Sequence, residues 1–260
     1  MPQLNNQTQV YFSASSAPGN FGATIYNRLF DKFDINAVYL PRKVLDAEGL
    51  IAAIKCLGVA GCSVSMPLKS QVVPLLDELD DLAAKINSVN TIVNKDGKLK
   101  GYNTDVYGAM SVLQDLAASK VLIYGAGSVT AAVITALREI ASPEIWCTAR
   151  RPEAAQELAS NYDLKCGEDL PDDFDLVINA TPASKDTNNN ELCSLLTKTK
   201  TVFDLVVSMD GDTPWLAQAR TQGLGIVTGF EMSKYQLQKQ FEFYTGRAVT
   251  IADIDEVLGA

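Results

Sequence analysis

A two-domain α/β architecture is what this sequence predicts, and three observations predict it. Short β-like runs alternate with amphipathic helical stretches in two successive series. One β-like run, Lys120 to Tyr124, leads straight into Gly125-Ala126-Gly127 and then a helical pattern. At 260 residues and 47% hydrophobic content, the chain is long enough for one large core or two moderate ones.

Taken in order, Gln9 to Ser13 reads as a strand, Ala23 to Phe33 as a helix, Ala37 to Leu40 as a strand, Val44 to Leu57 as a helix and Gly61 to Met66 as a strand. That alternation implies βαβ units and a mostly parallel sheet. Asn90 to Asn94 and Lys98 to Tyr102 flank Lys95-Asp96-Gly97, a hairpin signal that predicts an antiparallel edge on the first sheet. Val106 to Leu116 reads as a helix. A second βαβ series then runs through Lys120 to Tyr124, Glu144 to Thr148, Asp175 to Asn179, Thr201 to Val207 and Gly225 to Thr228. The domain boundary is expected near Asp105 to Gly108. The polar run Asp186-Thr187-Asn188-Asn189-Asn190 reads as a surface loop.

A formal charge of -9 argues against nucleic acid or an anionic membrane as the main partner. A small-molecule ligand is expected instead. Cys56, Cys62, Cys147, Cys166 and Cys193 are scattered without a Cys-x-x-Cys pair, so neither a metal site nor a disulfide framework is expected, and a reducing cytoplasm fits. The N-terminal residues lack the basic and apolar regions of a signal peptide, and no apolar run approaches the ~18 residues of a membrane span. The chain has no histidine, so proton transfer near neutral pH falls to Lys, Asp, Glu, Tyr or Cys.

In Gly125-Ala126-Gly127-Ser128-Val129-Thr130, the first two glycines suit a tight turn and close approach to a pyrophosphate at a helix N-terminus, whereas Thr130 stands where a third glycine is usual. Tight strand-to-helix packing alone is the other reading of these glycines. About 20 residues on, where an acid would bind the ribose 2'-hydroxyl of NAD, the next strand ends in Ala149-Arg150-Arg151. Two guanidiniums there favour the 2'-phosphate of NADP, unless both are ordinary solvated arginines. In the first series, Ser13, Ser15 and Ser16 precede a helix and could receive a small carboxylate or polyol, although serines also cap helices without any ligand. Lys69 follows Met66-Pro67 at the expected start of a helix, where the dipole disfavours a cation, which suggests a partner. Asp105, at the end of a neighbouring strand, is the candidate.

These motifs resemble the shikimate dehydrogenase family. The resemblance is carried, in order, by Ser13-Ala14-Ser15, Ser63-Val64-Ser65-Met66-Pro67-Leu68-Lys69, Ser88-Val89-Asn90-Thr91 and Gly101-Tyr102-Asn103-Thr104-Asp105. It continues through the glycine turn, Asn179-Ala180-Thr181-Pro182, Asp204-Leu205-Val206, and Gly229-Phe230-Glu231-Met232 with Gln236, and so spans nearly the whole chain.

The resemblance implies reversible, NADP-dependent hydride transfer between shikimate and 3-dehydroshikimate, in an N-terminal α/β substrate domain and a C-terminal Rossmann-type NADP-binding domain. The substrate domain would span 1–105 and be completed by 238–260, with 106–237 as the NADP domain. Lys69 would give or take the proton and Asp105 would hold the reacting hydroxyl. Ser13 and Ser15 would bind the substrate carboxylate, and Ser65, Asn90 and Gln236 its ring hydroxyls. Gly125, Ala126, Gly127, Ser128 and Val129 would hold the pyrophosphate, Arg150 and Arg151 the 2'-phosphate, and Thr181 with Gly229 the nicotinamide end. A homodimer is compatible with this reading. The chain departs from the family pattern at Phe12 and Tyr26, at Ser63 and Ser65, in a longer Pro18-Gly19-Asn20-Phe21-Gly22 loop, and at Val207, which replaces a tyrosine. Losing a phenolic donor to a substrate hydroxyl costs about 0.5–1.5 kcal/mol, so preference for shikimate over quinate or an amino analogue stays open. A ligand-binding or regulatory homologue with little turnover is the alternative of another class.

Overall fold

The computed structural model describes residues 4–127, 129–167, 170–186 and 189–259. Its elements, in order, begin with β1 (Gln9–Ser15), α1 (Phe21–Lys32), β2 (Ala37–Lys43), α2 (Ala47–Leu57), β3 (Gly61–Val64), α3 (Leu68–Gln71), β4 (Glu78–Leu79), α4 (Asp81–Ile86), β5 (Thr91–Lys95), β6 (Lys98–Tyr102) and α5 (Thr104–Leu113). They continue with β7 (Lys120–Tyr124), α6 (Thr130–Ile140), β8 (Glu144–Thr148), α7 (Pro152–Tyr162), β9 (Lys165–Cys166), β10 (Phe174–Asn179), α8 (Asn190–Ser194), β11 (Thr199–Asp204), α9 (Pro214–Thr221), β12 (Gly225–Thr228), α10 (Gly229–Thr245) and α11 (Ile251–Leu258). Two compact units result, one of 1–104 with 234–260 and the other of 105–233.

In the first unit the strand order is β2-β1-β3-β5-β6-β4. β1 pairs in parallel with β2 and β3, while β5 runs antiparallel to both β3 and β6. The Asp96-Gly97 turn takes left-handed φ at both residues, 53° and 86°, which matches a two-residue hairpin to the strand twist. The expected antiparallel edge is corrected in one respect. β4 adds in parallel outside β6, and a two-residue strand in a run of acids carries no readable β pattern. Ala14, Cys62 and Ile92 face α2 in one core layer, whereas Tyr11 lies on the opposite face with Tyr26, Phe30, Tyr39, Phe241 and Tyr244. Apolar side chains are therefore packed on both faces of the sheet.

Several boundaries differ from expectation for local reasons. α2 starts at Ala47 because the Asp46 carboxylate accepts the amides of Glu48 and Gly49 at 3.3 and 2.7 Å. α3 is a single turn, so the macrodipole invoked for Lys69 has no length over which to build up. That argument for a partner does not stand. β11 ends at Asp204, and Leu205 to Val207 lie beyond it.

The second unit's sheet has the order β12-β11-β10-β7-β8-β9 and is parallel throughout. Counted from β7 as the first strand, this is the 3-2-1-4-5-6 order of a doubly wound dinucleotide fold, with its switch point between β7 and β10. The expected fold class is the one observed. Among the described residues, no helix is long and apolar enough to cross a membrane, and no cluster of His, Cys, Asp or Glu could hold a metal ion.

Candidate active site

At the switch point, the carboxyl ends of β7 and β10 open into a cavity of about 460 Å³ lined by Gly125, Ala126, Gly127, Arg150, Arg151 and Thr181, among others. Gly125 has φ +109°, and a Cβ there would lie 2.4 Å from Thr181 Cγ2 and 3.2 Å from the Ala180 backbone. A Cβ on Gly127 would lie 3.0 Å from the Ala180 carbonyl oxygen. Gly125 is therefore required by its backbone and by close packing against the segment after β10, and Gly127 is tightly packed there, whatever they bind. Thr130, in place of the third glycine, is fully buried, and its hydroxyl has no hydrogen-bond partner among the described residues. Arg150 and Arg151 are exposed at the cavity wall, with Arg151 at the N-cap of α7. Ser128 lies outside the described residues. Val129 lines an adjoining recess of about 360 Å³ with Gly127, Thr181 and Val207.

Thr181 is held by its own segment. The Asn179 Oδ1 accepts the Thr181 hydroxyl at 2.7 Å and its amide at 3.1 Å, while Asn179 Nδ2 donates to Asp204 Oδ1 at 2.9 Å. Asp204 also accepts the Thr213 hydroxyl at 2.7 Å and the Val206 amide at 3.2 Å. Gly229 is buried where a Cβ would lie 2.6 Å from the Leu205 carbonyl oxygen. It is not part of the 460 Å³ cavity wall. Tyr124, which was not anticipated, lines that wall and donates to Glu191 Oε2 at 2.8 Å, and burial pushes its phenol up to about 12.

In the first unit, Ser13 and Ser15 share a face of β1, with Ala14 turned to the opposite core. Ser13 is in register with Ser63 of β3, whose hydroxyl meets that of Tyr39, and the Ser65 amide donates to the Ala14 carbonyl at 3.0 Å. Burial raises the Tyr39 phenol far above its ordinary value and the Cys62 thiol to about 12, so both stay neutral.

The turn carrying Lys69 is fixed by its backbone: the Lys69 carbonyl accepts the Val89 amide at 2.9 Å. Asn90 follows directly. Its amide donates to the Tyr102 carbonyl at 3.0 Å, and its Oδ1 accepts the Thr104 amide at 2.8 Å. Asp105, the next residue, is 6% exposed in the first turn of α5. The structure thus ties the Lys69 turn, Asn90 and Thr104 together. Gln236 is half-buried on α10. Sequence reasoning did not single out Gln240, which donates to Thr91, or the Thr91 hydroxyl, which donates to Asn90 Oδ1, and the available signal was that Gln240 sits one helical turn after Gln236.

The sheet order and the glycine turn define a two-unit α/β protein whose second unit is of the dinucleotide-binding class. Residues 20–92 match the shikimate dehydrogenase substrate binding domain. A shikimate dehydrogenase-like protein of Haemophilus influenzae is 32% identical over 251 residues, covering 93% of this chain and 92% of the relative. Shikimate dehydrogenase (NADP(+)) of Pyrococcus abyssi is 34% identical over 230 residues, covering 85% of this chain and 86% of the relative. Among solved structures, a shikimate 5-dehydrogenase-like protein matches with a TM-score of 0.90 at 31% identity, covering 99% of this chain and 98% of that one. The chain belongs to the shikimate dehydrogenase family.

Proposed function

We propose that this protein catalyses reversible, NADP-dependent hydride transfer between shikimate and 3-dehydroshikimate. The observation that carries the reading is the convergence of the Lys69 turn, Asn90 and the Thr104 amide through three backbone-anchored hydrogen bonds, in a chain of this family. The first unit takes the substrate and the second the cofactor. The fit to NADP rests on the cavity at the switch point, on the backbone cradle that a Cβ at Gly125 would fill, and on two guanidiniums at the wall. Bound NADP supplies or accepts the hydride.

In the oxidation direction Lys69 takes the hydroxyl proton as hydride leaves the same carbon, and in reduction it returns that proton to the carbonyl oxygen. Asp105 orients the reacting hydroxyl by accepting its hydrogen bond before that one proton passes to Lys69. Ser13 and Ser15 donate to the substrate carboxylate. Ser65, Asn90 and Gln236 bind the ring hydroxyls. Gly125, Ala126, Gly127, Ser128 and Val129 would hold the pyrophosphate, Arg150 and Arg151 the 2'-phosphate, and Thr181 with Gly229 the nicotinamide end.

One observation favours a second substrate reading. Val207, which replaces the family tyrosine, is 48% exposed beside Thr181 and offers no hydrogen bond. Quinate or an amino analogue of shikimate is the corresponding alternative.

The test is initial-rate oxidation of shikimate and of quinate by purified protein with NADP+ and with NAD+, beside Lys69→Ala and Asp105→Asn. Loss of turnover by about 10²–10⁴-fold in Lys69→Ala, with NADPH binding retained by fluorescence titration, supports the assignment. Undiminished turnover in Lys69→Ala overturns the mechanism, and preference for quinate with NAD+ overturns substrate and cofactor together.

A further inference from the structure

A directional chain of buried hydrogen bonds ends on Asn90. The Tyr26 hydroxyl donates to Gln240 Oε1 at 2.6 Å, and Gln240 Nε2 donates to Thr91 Oγ1. The Thr91 hydroxyl donates to Asn90 Oδ1 at 2.8 Å, where the Thr104 amide and hydroxyl also arrive at 2.8 and 3.1 Å. None of these five residues is more than 8% exposed.

We propose that Thr91 and Gln240 are positioning residues that set the direction of the Asn90 amide, and that they thereby act on substrate affinity. This rests on the reading of Asn90 as a substrate ligand. A threonine hydroxyl has one proton to give. While Gln240 presents its NH2 group to Thr91, that proton goes to Asn90. If the Gln240 amide were reversed, the Thr91 proton would go to Gln240 Oε1, Asn90 would lose a donor, and the Tyr26 proton would be left buried without an acceptor, a cost of about 1–3 kcal/mol. Tyr26 thus fixes Gln240, and Gln240 fixes Thr91. Burial keeps the Tyr26 phenol protonated, because its ionisation is pushed far above the ordinary tyrosine value. At the far end, three donors converge on one oxygen, which orients the Asn90 NH2 group the opposite way. Two of those donors belong to Thr104, the residue immediately before Asp105. A single acceptor atom therefore sets the direction of one site residue and the entry of another. Gln240 is also one turn from Gln236, so α10 carries a proposed substrate ligand and the support for a second one.

The competing account is that the chain only fastens α10 to the sheet. Thr91→Val keeps the shape and removes the hydroxyl, while Thr91→Ser keeps the hydroxyl. We expect Thr91→Val to raise the KM for shikimate about tenfold and leave the KM for NADP+ unchanged, with Thr91→Ser within about twofold of wild type. Gln240→Met, which keeps length and removes both polar groups, should move the shikimate KM in the same direction. It serves as the second variant if Thr91→Val does not fold.

A readout without substrate separates this proposal from the assignment of the reaction. In asparagine-labelled protein, the side-chain 1H–15N signals of Asn90, identified by their loss in Asn90→Asp, should shift and broaden in Thr91→Val and recover in Thr91→Ser. If they do so while wild type leaves shikimate unoxidised, positioning stands and the substrate reading falls. If Asn90 signals and the shikimate KM are the same in Thr91→Val and wild type, even with a lowered Tm, the chain is structural only and the proposal is overturned.

Discussion

Two buried side-chain bonds of the first unit, through Gln240, reach across most of the chain, whereas those around Asp204 in the second join nearer neighbours. Tyr26 reaches Gln240 over 214 residues, and Gln240 reaches Thr91 over 149. In the second unit, Thr181 and Asn179 are 2 apart, Thr213 and Asp204 are 9 apart, and Asn179 and Asp204 are 25 apart. Both networks satisfy groups that would otherwise be costly to bury. They differ in what assembles them. The second follows from a short motif at the ends of adjacent parallel strands, and the first requires α10 to come back onto the sheet after the whole second unit has been made. A local network can therefore be written into a motif, while a long-range one exists only once the topology does.

Three measurements sharpen or break this contrast. Asp204→Ala should have the largest effect, because Asp204 is fully buried and accepts from Asn179, Thr213 and Val206, and its loss strands donors on two segments. We expect about 3 kcal/mol of lost stability by denaturant unfolding, with a transition assigned to the second unit. A loss of a few tenths would show that this network is dispensable. Tyr26→Phe should come next at about 1–2 kcal/mol, since it leaves Gln240 Oε1 buried without a donor. If instead the second unit's core were the one loosened, as followed by near-UV signals of Trp146 and Trp215, the separation of the two networks would fail.

The smallest expected effect is pH-dependent. Asp175 is held below the usual carboxylate range first by its bond to Lys200 at 2.8 Å, together with the Ser119 and Lys120 amides at 3.0 and 3.1 Å. A carboxylate lowered on folding stabilises above its unfolded pKa of about 3.9, and that stability is lost as pH falls through the folded value. Asp175→Asn should therefore cost about 1 kcal/mol at pH 7, after allowing for solvent screening, and progressively less below pH ~4. An equal cost at pH 7 and pH 3 would mean that the charge contributes nothing.

Much of the second unit was legible. Lys120 to Tyr124, Glu144 to Thr148 and Gly225 to Thr228 were read with the bounds the structure gives, because each is an apolar run closed by glycine, proline or a charged turn. β4 and α4 were not, since elements of two and six residues lack a period to detect, and of α3 the start beside Lys69 was read but not its four-residue length. At the site, the motif residues could be named singly. What Lys69 gains from Val89, and Asn90 from Thr91, could not, because hydrogen bonds leave no trace in spacing. The dipole argument about Lys69 failed for the same reason: it assumed a helix length that only the fold could show.

By itself, the sequence determined the fold class, the order of the longer strands and the identity of the chemically able side chains. These follow from hydrophobic period, turn residues and the absence of histidine, all properties of neighbours along the chain. Only the tertiary structure decided why Gly125 must be glycine, through Thr181 Cγ2 at 2.4 Å, and which hydroxyl protons orient Asn90. Those depend on distances between segments far apart in sequence, and such distances are set by packing, in which every residue of a core takes part at once.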